Sequence, residues 1–149
     1  MAVIPRHEAV AGRSRSRSIL TSVLSMRRFS GDPNRISMDV IHQSQLPFVG
    51  MSHEFIGMDH GNVGISFFVV IGEPGRGTLL HKHDYDEVVY VIEGRSRWRV
   101  SGQEREAVAG DVLIVRAGEP HKFSNSGDGP LRQLDIHLSP NFETTWLEE

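Results

Sequence analysis

Between Gly75 and Gly94 the chain reads Gly-Arg-Gly-Thr-Leu-Leu-His-Lys-His-Asp-Tyr-Asp-Glu-Val-Val-Tyr-Val-Ile-Glu-Gly, and no other stretch limits the possible folds as tightly. Side chains on a strand alternate between its two faces, so His81, His83 and Glu87, which share parity, point the same way if the segment is extended. Two imidazoles and a carboxylate on one strand face are metal-ligand types. Together they suit a borderline divalent cation such as iron, manganese, nickel, copper or zinc. A fourth donor of the same kind, His121, sits in a second segment, Gly110-x5-Arg116-x-Gly118-x2-His121-x3-Asn125. Nothing local brings it to the first three; only a fold that packs residues 110–125 against residues 81–92 does so.

The rest of the chain argues for such a fold. Strand-like runs recur every 8–12 residues, broken by Gly and Pro, and no segment from 38 to 139 keeps a helical period. The pattern predicts strands at Asp39–Ile41, Ser52–Gly57, Ile65–Ile71, Thr78–His83, Glu87–Ile92, Arg95–Val100, Glu104–Val108, Val112–Val115, His121–Asn125 and Leu131–Leu138. A helical turn or two is expected only over Phe142–Glu148. Some ten short strands with tight turns read as an antiparallel sandwich or barrel, an all-β class. With 149 residues and no cysteine, the chain is long enough to bury a core without disulfides. The missing thiols also exclude cysteine nucleophiles, thiolate metal sites and iron–sulfur clusters.

Charge is distributed unevenly along the chain. Residues 1–37 carry seven arginines against Glu8 and Asp32, whereas residues 38–149 hold nine basic and seventeen acidic groups. An acidic body argues against nucleic acid as a partner, since phosphates demand a basic face. No apolar run approaches the eighteen or so residues that a membrane span needs, so neither membrane nor nucleic acid is expected as a partner, and the protein is expected to be cytoplasmic. The run Gly12-Arg-Ser-Arg-Ser-Arg-Ser18 fits a transit-type leader, a basic arm, or an extension upstream of a true start at Met38. The last is preferred. Residues 1–37 are expected to be a disordered or loosely docked tail and residues 38–149 the domain.

The two glycine-bracketed segments carry a resemblance. Gly75-x5-His81-x-His83-x3-Glu87-x6-Gly94 is similar at every defined position to the first signature of the cupin superfamily, and Gly110 to Asn125 to the second, except that Arg116 stands where proline is usual. Fifteen residues separate them, as in the small single-domain members of the cupin 2 type. The resemblance implies an antiparallel jelly-roll, the double-stranded β-barrel, with a divalent metal ion held by His81, His83, Glu87 and His121. It also implies that Gly75, Gly94, Gly110 and Gly118 shape turns and that Asn125 is structural. Homodimers built by edge pairing are common in the family, and a homodimer is expected here.

Four protein donors around an ion that prefers six leave two positions for water, dioxygen or a chelating substrate. Three neutral imidazoles and one carboxylate leave such a site near +1, which suits small anions with two oxygen donors. The expected function is therefore action on a small, anionic organic molecule as a dioxygenase-like oxygenase or an isomerase or lyase. The alternative is a non-catalytic barrel that binds or senses a small ligand. Neither a catalytic acid nor a base stands out. Trp98 reads as core, and Arg95, Arg97 and Arg99 as a solvated face. Asp135 and His137 share a face that either lines the pocket or meets solvent, and His53 and His60 read as surface residues.

Overall fold

The structure is a computed structural model and describes residues 38–149. The segment expected to be a tail, 1–37, lies outside the described residues. Asp39–Ile41, read as a first strand, is irregular. Eleven strands follow: β1 (Phe48–Val49), β2 (Ser52–Phe55), β3 (Ser66–Gly72), β4 (His81–Lys82), β5 (Glu87–Glu93), β6 (Arg95–Val100), β7 (Gln103–Val108), β8 (Val112–Val115), β9 (His121–Asn125), β10 (Leu131–His137) and β11 (Thr145–Trp146). The described residues hold no α-helix, only two short 3-10 turns. All pairings between these strands are antiparallel.

The strands form a six-stranded sheet, β1-β2-β3-β10-β5-β8, and a five-stranded sheet, β11-β4-β9-β6-β7. Each contributes one apolar face to a shared core: Phe68, Val70, Val89, Val91, Val115 and Leu131 from the first, and Trp98, Ala107 and Phe123 from the second. Burying a side chain of this size stabilises the fold by roughly 1.5–3 kcal/mol. Trp98 stacks on Phe123 at 4.9 Å and donates its Nε1–H to Ser96 Oγ, so no indole donor is stranded in the core. The expectation for Trp98 holds, and Arg95 and Arg97 lie exposed beside Glu106.

Two glycines show why the barrel closes where it does. Gly94 turns β5 into β6 at φ +85°, and a Cβ there would stand 2.5 Å from the Pro130 carbonyl oxygen. Gly77 lies so close to β9 that a Cβ would fall within the Phe123 carbonyl. Asn125 locks the neighbouring loop, donating to the Gly72 and Gly129 carbonyls while its Oδ1 accepts from the Gly127 amide.

The C-terminal expectation was wrong. Residues 145–146 pair with β4, Trp146 opposite His81, and the chain from Ser139 onward crosses one end of the barrel as a strap. Thr144, Thr145 and Trp146 favour extended backbone, and the short β4 leaves an edge that needs pairing. Tertiary pairing therefore overrides any local helical preference.

Candidate metal centre

Backbone register, not strand parity, assembles the site. His81 and His83 do not share a strand face with Glu87, as the sequence suggests: the chain leaves β4 at Lys82, bends through Asp84 and Tyr85, and enters β5 in the opposite sheet at Glu87. The groups meet across the barrel interior. His121, the first residue of β9, is directly opposite His81 on β4. A loop-to-loop clasp holds the second segment against the first. The Gly118 amide donates to the His83 carbonyl at 2.7 Å, and Asp86 accepts from the Ala117 amide at 2.9 Å and the Arg116 guanidinium at 2.8 Å. These donors hold the Asp86 carboxyl below its usual range. Arg116 thus fixes by an ion pair the loop that proline usually stiffens.

All four side chains are buried. Each of the three imidazoles places Nδ1 against a backbone carbonyl: His81 at Leu79 (2.7 Å), His83 at Glu143 (2.7 Å) and His121 at Glu119 (2.8 Å). A carbonyl only accepts, so Nδ1 carries the proton and the Nε2 lone pair is left free, the arrangement that orients metal-ligating histidines.

His121 Nε2 stands 3.0 Å from Glu87 Oε2, and His83 Nε2 3.7 Å from the same oxygen. Neither approach has hydrogen-bond alignment, and all three atoms lack a partner among the described residues. Two lone pairs facing each other at 3.0 Å repel unless a proton or a metal cation lies between them. Donors bound cis at about 2.1 Å to one octahedral ion stand about 3.0 Å apart, and trans donors about 4.2 Å. The observed spacings fall in that window. Ligand atoms of His81, His83 and His121 also lie within 4.8 Å of one another, so this cluster could hold a metal ion.

The electrostatics agree. Burial, aided by neighbouring His121, lowers His81 to about 3, and burial lowers His83. Burial opposes charge on Glu87 too, yet the imidazoles of His121, His137 and His83 outweigh it and hold the carboxyl at about 2. His121 moves the other way. Burial pulls it down, but the Glu87 carboxylate beside it more than compensates and raises it. With no metal bound, a proton on His121 supplies the positive charge that the His121–Glu87 contact requires.

Beyond the four expected donors, the structure settles the polar face of β10. Gln133, Asp135 and His137 all point into the barrel and are buried. Burial and the negative charge of Glu87 raise Asp135 well above its usual range. Asp135 accepts from Gln133 Nε2 at 2.8 Å, and Gln133 Oε1 has no partner among the described residues. His137 presents a ligand atom within 4.8 Å of those of His83 and Glu87. The alternation of β10 made this face visible in the sequence, but not which way it points. His53 and His60, expected at the surface, are half-buried and pack on Phe48 and Phe55.

The strap covers the site. Phe142 packs against His83, His137 and Phe68, and Trp146 against His81. Tyr85 stacks on His83, donates to the Glu143 carbonyl and accepts from the Glu143 amide. Burial pushes its phenol up to about 12, so it stays protonated and serves as a fastener. Beside this fastener a cleft of about 390 Å³ opens, lined by Lys82, His83, Tyr85, Asn141, Glu143 and Thr144 among others.

A cupin-domain family model matches residues 68–137. An uncharacterised protein of Methanocaldococcus jannaschii is 38% identical over 67 residues, covering 44% of this chain and 54% of that protein. The HTH-type transcriptional regulator PuuR of Escherichia coli is 28% identical over 125 residues, covering 80% of this chain and 68% of the regulator. Among solved structures, Bacillus subtilis oxalate decarboxylase, a protein with Mn(II) centres, superposes with a TM-score of 0.59 at 29% identity, covering 64% of this chain and 27% of the decarboxylase chain. The chain thus spans about half the length of the archaeal relative and about a quarter of the decarboxylase.

Proposed function

The chain belongs to the cupin superfamily, and from that premise we propose that it binds one divalent metal ion through His81, His83, Glu87 and His121 and acts on a small, anionic organic molecule. The observation that carries the reading is the set of three imidazoles locked by backbone carbonyls with Nε2 turned toward Glu87. Iron, manganese, nickel, copper and zinc all suit three nitrogens and one oxygen, and the Mn(II) centres of the decarboxylase favour manganese. A bound ion supplies Lewis-acid or oxygen-activating chemistry, as in an oxygenase or an isomerase or lyase.

The protein's own groups do the rest. Phe142 and Trp146 exclude water from one side of the donors, which strengthens every electrostatic interaction within. In this reading a small ligand approaches through the cleft bordered by Tyr85 and by the strap residues Asn141, Glu143 and Thr144, which reaches His83 among the donors. The test is a thermal-shift and turnover screen of manganese-loaded and metal-stripped protein against small carboxylates, phenolic acids and keto acids. At least one class is expected to raise the melting temperature of the loaded protein alone. Equal shifts with and without metal, or none, contradict the reading.

A second reading rests on the match to PuuR, which covers most of this chain: a barrel that binds a small ligand as a sensor without turning it over. Chemical conversion of the molecule that binds in the same screen separates the two.

We also place the expected homodimer on the outer face of the six-stranded sheet. Tyr90, Ile92, Val112 and Ile114 lie exposed there on adjacent strands, Tyr90 directly opposite Val112, and a row of this kind calls for a partner surface. Sedimentation is expected to give a dimer, and Ile114→Glu a monomer that still binds metal. A wild-type monomer at micromolar concentration contradicts the placement.

A further inference from the structure

His137 differs from the three carbonyl-bound histidines in what surrounds its ring. It ends β10 directly between Glu87 of β5 and Ser66 of β3 and is 3% exposed. The ring is held by contacts with Phe68 and Phe142 at 4.9 Å and by an edge-type contact with His83 at 4.8 Å. Neither of its nitrogens has a hydrogen-bond partner among the described residues.

A metal-ligating histidine almost always donates its outer N–H to a fixed acceptor, and His81, His83 and His121 all do. His137 has no such anchor, so it lacks the mark of a resident ligand. Asp135, its neighbour on the same face, is engaged with Gln133. A buried imidazole with both nitrogens unsatisfied calls for a partner that arrives from outside. Its ligand atom lies within 4.8 Å of those of His83 and Glu87, so that partner sits beside the ion on the His83–Glu87 side.

We propose that His137 is a ligand-contacting residue: one ring nitrogen donates a hydrogen bond to an anionic oxygen of the small molecule bound at the open coordination positions, and the residue is not itself a metal donor. The proposal rests on the metal reading above. It adds a specificity element to it: an incoming molecule needs a charged oxygen beside the one it gives to the ion, and neutral molecules of similar size are discriminated against.

The experiment uses Mn2+ alone to measure metal affinity, then oxalate and malonate as anionic chelating probes of the loaded protein, followed by calorimetric titration. His137→Phe keeps the ring volume and removes the donor; His137→Gln restores an N–H. Metal affinity is expected to stay within about threefold of wild type in both. Probe affinity is expected to fall about tenfold or more in His137→Phe, the loss of one hydrogen bond to a charged group, and to recover in part in His137→Gln. Should His137→Phe not fold, His137→Met makes the same comparison. Unchanged probe affinity in the variant without a donor overturns the proposal, as does a wild type that holds Mn2+ but binds neither probe. A loss of Mn2+ affinity beyond tenfold in these variants overturns it in the other direction, by making His137 a metal donor. A wild type that binds no metal is a separate failure, that of the metal reading itself.

Discussion

Replacing His83 by alanine is expected to remove most of the bound metal and to lower the melting temperature of the metal-loaded protein by on the order of 15 °C. Two effects add. The first is linkage: an ion that binds only the folded state stabilises it by about 4 kcal/mol when present at a thousand times its dissociation constant, and a domain of this size, between the small and the large, loses roughly 3–4 °C per kcal/mol. The second is mechanical. His83 donates Nδ1–H to the Glu143 carbonyl and stacks on Tyr85, so its removal loosens the strap as well as the site. Metal content by elemental analysis and melting by scanning calorimetry check both. Full metal occupancy in His83→Ala contradicts the assignment of the donors.

With the metal stripped, the barrel is expected to lose stability as pH falls from about 6.5 to 5. His81 and His137 titrate at about 3 and about 4 when folded but at 6.5 when unfolded. Between those values the unfolded chain holds the extra protons, so stability falls with pH. At pH 5 each of these histidines is about 1.5 units below its unfolded value, which costs about 2 kcal/mol apiece. His121 acts in the opposite sense. Its raised value contributes stability that is present below 6.5 and lost as pH rises, so it offsets part of the fall. Glu87 contributes above about 4.5 and loses that contribution only as pH falls through about 2, outside the window. Asp135 opposes the fall as well: its carboxyl, raised by burial and by Glu87, keeps a proton in the fold where the unfolded chain has lost it. His83, lowered by burial, adds to the fall. The net loss is therefore smaller than the roughly 4 kcal/mol of His81 and His137 together, and is read as melting temperature against pH on chelator-treated protein. A flat profile from pH 6.5 to 5 contradicts the burial of neutral imidazoles.

Much of this was legible in the sequence, for reasons that differ from residue to residue. Turn glycines and alternation placed β3, β5, β6, β8, β9 and β10 within a residue or so, because local chemistry decides where a strand ends. Gly75, Gly94, Gly110 and Gly118, taken from the family pattern, all adopt positive φ. The four candidate donors do converge, but His81, His83 and Glu87 were grouped for the wrong reason. Parity treats residues 81–87 as one strand, whereas the bend at Asp84 and Tyr85 moves the chain between sheets, and only long-range pairing decides that. The strap was missed on the same ground. Nothing within Phe142–Glu148 records that β4 has an open edge. The inward turn of Gln133, Asp135 and His137 depends on the register of β10 between β3 and β5, which alternation alone leaves undetermined by one residue.

The most direct measurement is anomalous X-ray diffraction from crystals of the manganese-loaded protein. One strong peak is expected inside the barrel, within about 2.0–2.3 Å of the Nε2 atoms of His81, His83 and His121 and of a Glu87 oxygen. A peak at any other set of side chains, or crystals grown in excess manganese that show no peak among these four, contradicts the account.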